Sequence, residues 1–197
     1  MIAIVDYGAG NIQSVKNALD FLKVKSLITD EKDCILAADK LIFPGVGSFG
    51  DVMKALEDRT LLEILKKSIK EKPYLGICLG LQILFEQSEE SPKVKGLGIF
   101  KGNVKRFRTL KVPQIGWNSI TIKKDNPILN KIKNDSYFYF VHSYYVEPKD
   151  KSLILTETDY GGKFASSIAK DNIFGTQFHP ERSGDVGLQL LKNFVNL

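Results

Sequence analysis

Cys78 stands in Gly76-Ile77-Cys78-Leu79-Gly80. The Gly-x-Cys-x-Gly pattern is the cysteine counterpart of the Gly-x-Ser-x-Gly nucleophile elbow. A short apolar run from Pro73 to Ile77 precedes the cysteine, and Leu81, Leu84 and Phe85 follow at helical spacing. The stretch therefore reads as a strand, a tight turn and an amphipathic helix that buries one face. Glycines at 76 and 80 let backbone pass close on both sides of a strained turn. Such a turn lifts the sulfur out of the sheet and sets it at a helix N-terminus, where the dipole favours thiolate. A free cysteine buried only for packing is the common alternative, and it has no need of the flanking glycines.

A thiol nucleophile needs a base, and the base needs something to orient it. The chain has two histidines, His142 and His179. His179 follows an apolar strand in Gly175-Thr176-Gln177-Phe178-His179-Pro180-Glu181-Arg182, with Glu181 two residues beyond. In extended chain those two side chains point the same way, so the carboxylate can hold one ring nitrogen while the other faces the sulfur. His142 lies in the run Tyr139–Tyr145, where a structural or interface role is expected. Attack on a carbonyl creates an oxyanion, which needs donors already in place. The amide of Leu79 is one candidate by elbow geometry. A second should come from the strand-end loop Pro44-Gly45-Val46-Gly47, whose glycines on both sides of Val46 would let a peptide flip; a plain turn accounts for that loop equally well.

The elements that must position these groups follow in order. Ile2–Val5 reads as a strand, and a helix after the turn at 6–11 carries Ile12, Val15, Leu19 and Leu22 on one face. Strands are expected at Ser26–Ile28 and Lys40–Phe43, then a helical stretch from Asp51 to about Lys72, broken near Arg59-Thr60. A strand, a glycine turn and a helix are how doubly wound α/β folds begin. The turn Gly8-Ala9-Gly10-Asn11 is only a weak nucleotide signal, lacking both the third glycine and a Lys-Ser/Thr pair. Segments near 99–107, 114–122, 137–146, 152–158, 164–169 and 173–178 are spaced as strands of an antiparallel or mixed extension. The last helix, from about Asp185 to Val195, turns Val186, Leu190, Leu191 and Phe194 inward. No linker or repeat interrupts the 197 residues, so one domain spanning 1–197 is expected.

Composition bounds the setting. Apolar residues make up 43% and charged residues 26%, as in water-soluble globular chains. No apolar run approaches the 20 or so residues of a membrane span, and no leader pattern opens the chain, so a cytoplasmic protein without membrane contact is expected. Two cysteines, Cys34 and Cys78, are too few for a disulfide framework or a zinc site, and no metal or cofactor is called for. The net charge of +5 comes from scattered lysines rather than a basic arm. A solvated surface or a docking face for an acidic protein is expected, not nucleic acid.

Cys78 in Gly-Ile-Cys-Leu-Gly-Leu-Gln, with His179 and Glu181 in Phe-His-Pro-Glu, resembles the class I, triad-type glutamine amidotransferase family. Asp6–Val15, Pro44–Gly50, Gln114–Asn118, Tyr139–Tyr144 and His179–Gly184 are similar to the branch that supplies the glutaminase subunit of imidazole glycerol phosphate synthase. The likeness runs from end to end. It implies a flavodoxin-like doubly wound mixed sheet with an antiparallel β extension in the C-terminal half. It implies that Cys78 attacks the side-chain amide of L-glutamine, that His179 relays the proton to departing ammonia, that Glu181 orients the imidazole, and that water cleaves the thioester. Gly45, Gln82, Glu90, Ser143 and Tyr144 match positions that hold glutamine, and Val46 and Leu79 those that supply the oxyanion amides. Asn11, Trp117, Tyr137, Tyr139 and Arg182 match an interface with a (β/α)8-barrel cyclase subunit. That heterodimer partner takes the ammonia in histidine biosynthesis. The family often carries lysine where Arg182 stands; arginine keeps the charge and changes the geometry of a salt bridge.

Other classes leave different marks. The glutaminase subunit of pyridoxal phosphate synthase typically has Cys-Ala-Gly at the nucleophile and lacks Gly-Trp-Asn. Cysteine peptidases and DJ-1-like enzymes share the elbow but not Phe-His-Pro-Glu. A flavodoxin-like binding module would have no use for a Cys, His and Glu set, and an idle regulatory subunit would leave Cys78 unreactive.

Overall fold

The computed structural model describes residues 1–8 and 11–197. Strand β1 (Ile2–Val5), helix α1 (Ile12–Phe21), β2 (Ser26–Thr29), α2 (Lys32–Ala37), β3 (Lys40–Gly45), α3 (Phe49–Asp58), α4 (Leu62–Glu71) and β4 (Tyr74–Cys78) form the first half. The single-turn helix α5 (Leu79–Gln82) leads into β5 (Gln87–Ser88), β6 (Gly102–Arg106), β7 (Gln114–Ser119), β8 (Thr121–Ile122), β9 (Tyr137–His142) and β10 (Tyr144–Pro148). The chain continues through β11 (Ile154–Asp159), β12 (Lys163–Lys170), β13 (Ile173–Thr176) and α6 (Gly184–Val195).

Most strands join one mixed sheet running β2-β1-β3-β4-β13-β12-β10-β6-β5, with β11 and β8 branching from β12. The first five strands of that order are parallel to one another. From β12 onward the pairing turns antiparallel, except that β5 runs parallel to β6. Alternation sorts the parallel strands onto two apolar faces. Ala3, Val5, Leu41, Phe43 and Tyr74 pack with Val52, Leu56, Leu65 and Ile69 of α3 and α4. Ile2, Ile4, Ile42, Leu75 and Ile77 pack with Val15 and Leu19 of α1 and with Leu190, Leu191 and Phe194 of α6. Each large apolar side chain so buried contributes roughly 1.5–3 kcal/mol. The doubly wound expectation holds, as does the antiparallel extension.

Several local expectations need correction. The helix after Cys78 is one turn long and buried throughout, not amphipathic, and its Leu79 and Leu81 are part of the core that also holds Val52 and Leu56. The runs 114–122 and 137–146 are each divided between two sheets. Residues 114–119 and 137–142 form a separate antiparallel pair, β7 with β9, while β10 crosses to β6. The division falls at Ile120 and Ser143; the Ser143 carbonyl accepts from the Phe107 amide instead of a ladder partner. Helix α2 was not expected: it is six residues long and buries only Ile35, too short to show a periodicity. The long helix does break, with Thr60 in the left-handed region at φ 55°. It begins at Phe49, capped by Ser48, whose side-chain oxygen accepts from the Asp51 amide. The weak nucleotide turn falls partly on residues 9 and 10, outside the described residues.

Candidate active site

The groups singled out in the sequence meet at the C-terminal ends of the parallel strands, where open α/β sheets bind their ligands. Strand β3 ends on Gly45 and β4 on Cys78, and the register pairs those two residues. Strand β13 lies on the other side of β4, pairing Thr176 with Ile77, and runs directly into Gln177, Phe178 and His179. One hundred residues of chain separate Cys78 from His179. The insertion of β13 beside β4 brings them together.

Cys78 sits at φ 53°, ψ −103°, in a region that non-glycine residues avoid. Holding it there costs on the order of 1–3 kcal/mol, which the surrounding core must offset. The flanking glycines earn their places sterically. A Cβ on Gly76 would lie 2.3 Å from the Gly80 carbonyl oxygen, and one on Gly80 would lie 2.1 Å from that of Phe43. The two glycines of the 44–47 loop differ in role. Gly45 is needed for space, since a Cβ there would meet Leu79 Cβ at 2.5 Å, whereas Gly47 is needed for its φ of +109°.

His179 Nδ1 lies 2.8 Å from Glu181 Oε1, and both side chains are almost wholly buried. The contact matches expectation, but its geometry does not: Pro180–Arg182 form a 3-10 turn, so the carboxylate is curled back to the ring rather than aligned along an extended strand. His179 Nε2 and Glu181 Oε2 have no hydrogen-bond partner. Burial by itself would push the His179 imidazole down. The Cys78 thiol and the Glu181 carboxylate outweigh burial and hold it well above the usual histidine range.

A cleft of about 280 Å³ opens over the sulfur. Its lining contains Gly45, Val46, Leu79, Gln82, Glu90, Ser143 and Tyr144, all the positions expected at the oxyanion and the substrate. Glu90 accepts from the Phe49 amide at 2.7 Å, yet burial raises its carboxyl, that bond opposing. Leu79 is the first residue of α5, where an amide has no intrahelical acceptor. Val46 is differently placed. Its N–H donates to the Tyr7 hydroxyl at 3.0 Å, and that hydroxyl donates to the Val46 carbonyl at 2.9 Å. Tyr7 is buried and stacked on Phe43 with ring centroids 5.1 Å apart. Desolvation pushes its phenol up to about 12, so it stays neutral. A larger open groove of about 560 Å³ lies along β5 and β6, lined by Lys105, Arg106 and Arg108, and neither cysteine nor histidine lines it. Among the described residues, no cluster of three His, Cys, Asp or Glu is arranged to hold a metal.

The family model for glutamine amidotransferase class I matches residues 3–197. The chain belongs to the class I glutamine amidotransferases. It is 53% identical over its whole length to the imidazole glycerol phosphate synthase subunit HisH of Methanocaldococcus jannaschii, which it also covers completely. It is 51% identical to the subunit of the same name from Pyrococcus furiosus, with 100% of this chain and 98% of the relative covered. Among solved structures, a glutamine amidotransferase aligns with a TM-score of 0.79 at 16% identity, covering 100% of this chain and 98% of the other. PurLQS from Thermotoga maritima aligns with a TM-score of 0.74 at 20% identity, covering 99% and 97%. At such identities those two bear on the fold alone.

The remaining expected positions of this amidotransferase lie on the elements around Cys78, His179 and Glu181. Trp117 and Tyr137 are 56% and 59% exposed on the outer face of the β7–β9 pair. Tyr139 stands opposite Trp117 in register, ring centroids 6.2 Å apart. Arg182 is on the same 3-10 turn as Glu181. With its amide oxygen turned to the guanidinium, Asn11 accepts from Arg182 Nε at 3.0 Å and from Nη2. Strand β9 is tied to this turn: the His179 amide donates to the Tyr139 carbonyl and the Tyr139 amide to Ser183 Oγ.

Two residues of the site escaped the sequence reading. Tyr7 and Gln177 were not singled out. A polar residue inside the apolar run Ile173–Phe178 was the available signal for Gln177. His142, expected in a structural or interface role, forms part of the cleft wall. It is buried between Gln114 and the Tyr144 carbonyl, with ring nitrogens 2.9 and 2.7 Å from their oxygens.

Proposed function

We propose that this chain is the glutaminase subunit of an imidazole glycerol phosphate synthase, built as a single amidotransferase domain over 1–197. The observation that carries the proposal is the buried His179–Glu181 pair, 2.8 Å apart, set beside a strained Cys78 at the floor of the cleft. Cys78 gives its proton to His179 Nε2, the ring nitrogen left without a partner, while Glu181 holds Nδ1–H. The sulfur attacks the carboxamide carbon of L-glutamine, and charge builds on the carboxamide oxygen. The Leu79 amide is free to receive it; the Val46 amide becomes a second donor once Tyr7 lets go. His179 passes the proton to nitrogen as ammonia departs. Water, relieved of a proton by the same ring, then cleaves the glutamyl thioester to glutamate and free thiol.

Gly45, Gln82, Glu90, Ser143 and Tyr144 position the glutamine. Gln82 spends both amide protons on Gln177 Oε1 and the Tyr144 carbonyl, so its own oxygen is what it offers the substrate. Ammonia passes to a (β/α)8-barrel cyclase subunit, which forms imidazole glycerol phosphate and aminoimidazole carboxamide ribotide. Trp117, Tyr137 and Tyr139 make the apolar part of that interface, and Arg182 with Asn11 its polar part. The setting is cytoplasmic; among the described residues no helix is long and apolar enough to cross a membrane.

The test is glutamate release from glutamine, by the chain alone and with the cyclase barrel plus its ribotide substrate. Slow release alone, strong stimulation by the barrel and loss of both in Cys78→Ser are expected. Fast release indifferent to the barrel would overturn the partner and keep the thiol chemistry.

A further inference from the structure

Gln177 is wholly buried where β13 ends, and its backbone N–H donates to the Ser166 carbonyl at 2.8 Å. Its side chain is one link in a directional chain of hydrogen bonds. The Tyr144 carbonyl can only accept, so it takes one Gln82 amide proton at 3.1 Å. The second Gln82 proton goes to Gln177 Oε1, also at 3.1 Å. Both amides are thereby locked in orientation, and Gln177 Nε2 is left facing Cys78 Sγ at 3.4 Å with a proton to donate. Turning either amide over would set donor against donor or acceptor against acceptor in a dry interior, an expensive mismatch.

We propose that Gln177 is a further catalytic residue of the glutaminase reaction, its side-chain N–H hydrogen-bonding the nucleophilic sulfur to favour the thiolate and hold it toward the cleft. The proposal rests on Cys78 being the nucleophile. A donor aimed at a developing anion stabilises it without reorganisation, and it does so most where water is excluded. The same chain reaches the cleft through Gln82, so the side chain assigned to glutamine is mechanically continuous with the sulfur that attacks it.

The test follows alkylation of Cys78 by iodoacetamide across pH, in full-length chain carrying Cys34→Ser so that one thiol reports. Gln177→Met keeps the volume and removes the donor; Gln177→Glu keeps the shape and adds a negative charge. The alkylation midpoint is expected to rise by about one pH unit in Gln177→Met, a roughly tenfold slower reaction below the midpoint, and further in Gln177→Glu. With the cyclase barrel present, kcat is expected to fall roughly tenfold in both variants, while KM for glutamine changes little in Gln177→Glu, whose carboxylate still accepts from Gln82. An unshifted midpoint in both variants, or a rise in KM alone, would assign Gln177 to packing. Should neither variant fold, the unmutated chain decides: the Gln177 side-chain amide resonances must move with the Cys78 titration, and stationary resonances would overturn the proposal. Glutaminase activity surviving full alkylation of Cys78 would instead overturn the nucleophile assignment itself.

Discussion

At the scale of single residues, the site separates its two histidines by environment. His179 is biased toward taking a proton by the Glu181 carboxylate and, once Cys78 has given its proton up, by the thiolate left behind. His142 is pushed down to about 4, chiefly by burial. Phe107, Phe140 and Phe164 surround its ring with centroids 5.2 to 5.7 Å away, an apolar shell that disfavours a charge. Neutral His142 donates from Nδ1 to the Tyr144 carbonyl, and Gln114 satisfies Nε2 best by turning its NH₂ toward the ring. A group whose folded value is depressed contributes stability above its unfolded value and loses it as pH falls toward the folded one. The chain should therefore lose up to about 3 kcal/mol between pH values of roughly 6.5 and 4 from this ring. Urea midpoints measured across that range should show the slope, and His142→Gln should flatten it.

At the scale of elements, the elbow and the 44–47 loop share one turn of helix as their meeting point. Gly80 permits the β3 and α5 backbones to approach, so Gly80→Ala must push them apart. A loss of roughly 3 kcal/mol is expected, read as a lowered urea midpoint with unchanged slope. Testing loop mobility by Gly45→Ala would confuse motion with packing, because the added methyl strikes Leu79. Tyr7→Phe is the cleaner change: it removes the hydroxyl that engages both the N–H and the carbonyl of Val46 while keeping the stack on Phe43. Glutamate release by the chain without its partner should rise several-fold, since one hydrogen bond of about 1 kcal/mol no longer holds the amide. A rate equal to that of the unchanged chain would show that Tyr7 does not restrain the loop.

At the scale of the molecule, the β7–β9 pair is a two-stranded sheet with one face in the core and one in solvent. Phe138 and Phe140 are wholly buried, while Ile115, Trp117 and Tyr137 are exposed. The Tyr139 carbonyl of β9 also accepts from the His179 amide and its own amide donates to Ser183 Oγ, so a partner on this face would press on an element bonded to both. If the proposed cyclase partner docks here, Trp117→Ala should weaken its association by about 2 kcal/mol, near thirtyfold in Kd by calorimetry. The chain alone should keep its thermal midpoint, because the side chain is mostly in water.

What was legible in the sequence was local. Glycines at 76 and 80, the positive φ they surround, and the two-residue spacing from His179 to Glu181 are set by covalent neighbours, whose sterics read directly from residue type. The parallel strands and the apolar face of α6 were legible for the same reason: their periods are short. Strand order was not, because it follows from how two apolar faces are jointly covered. That order placed β13 beside β4 and so joined His179 to a cysteine 101 positions earlier. The same limit hid the Tyr7 contact with Val46 and the Gln82–Gln177–Cys78 chain, each spanning 39 to 95 residues or more. It hid the division of 114–122 and 137–146 between two sheets as well, since an alternating run does not say which neighbour its backbone will bond. The chemistry was written in residue types and spacing; the assembly that makes it a site was decided by packing.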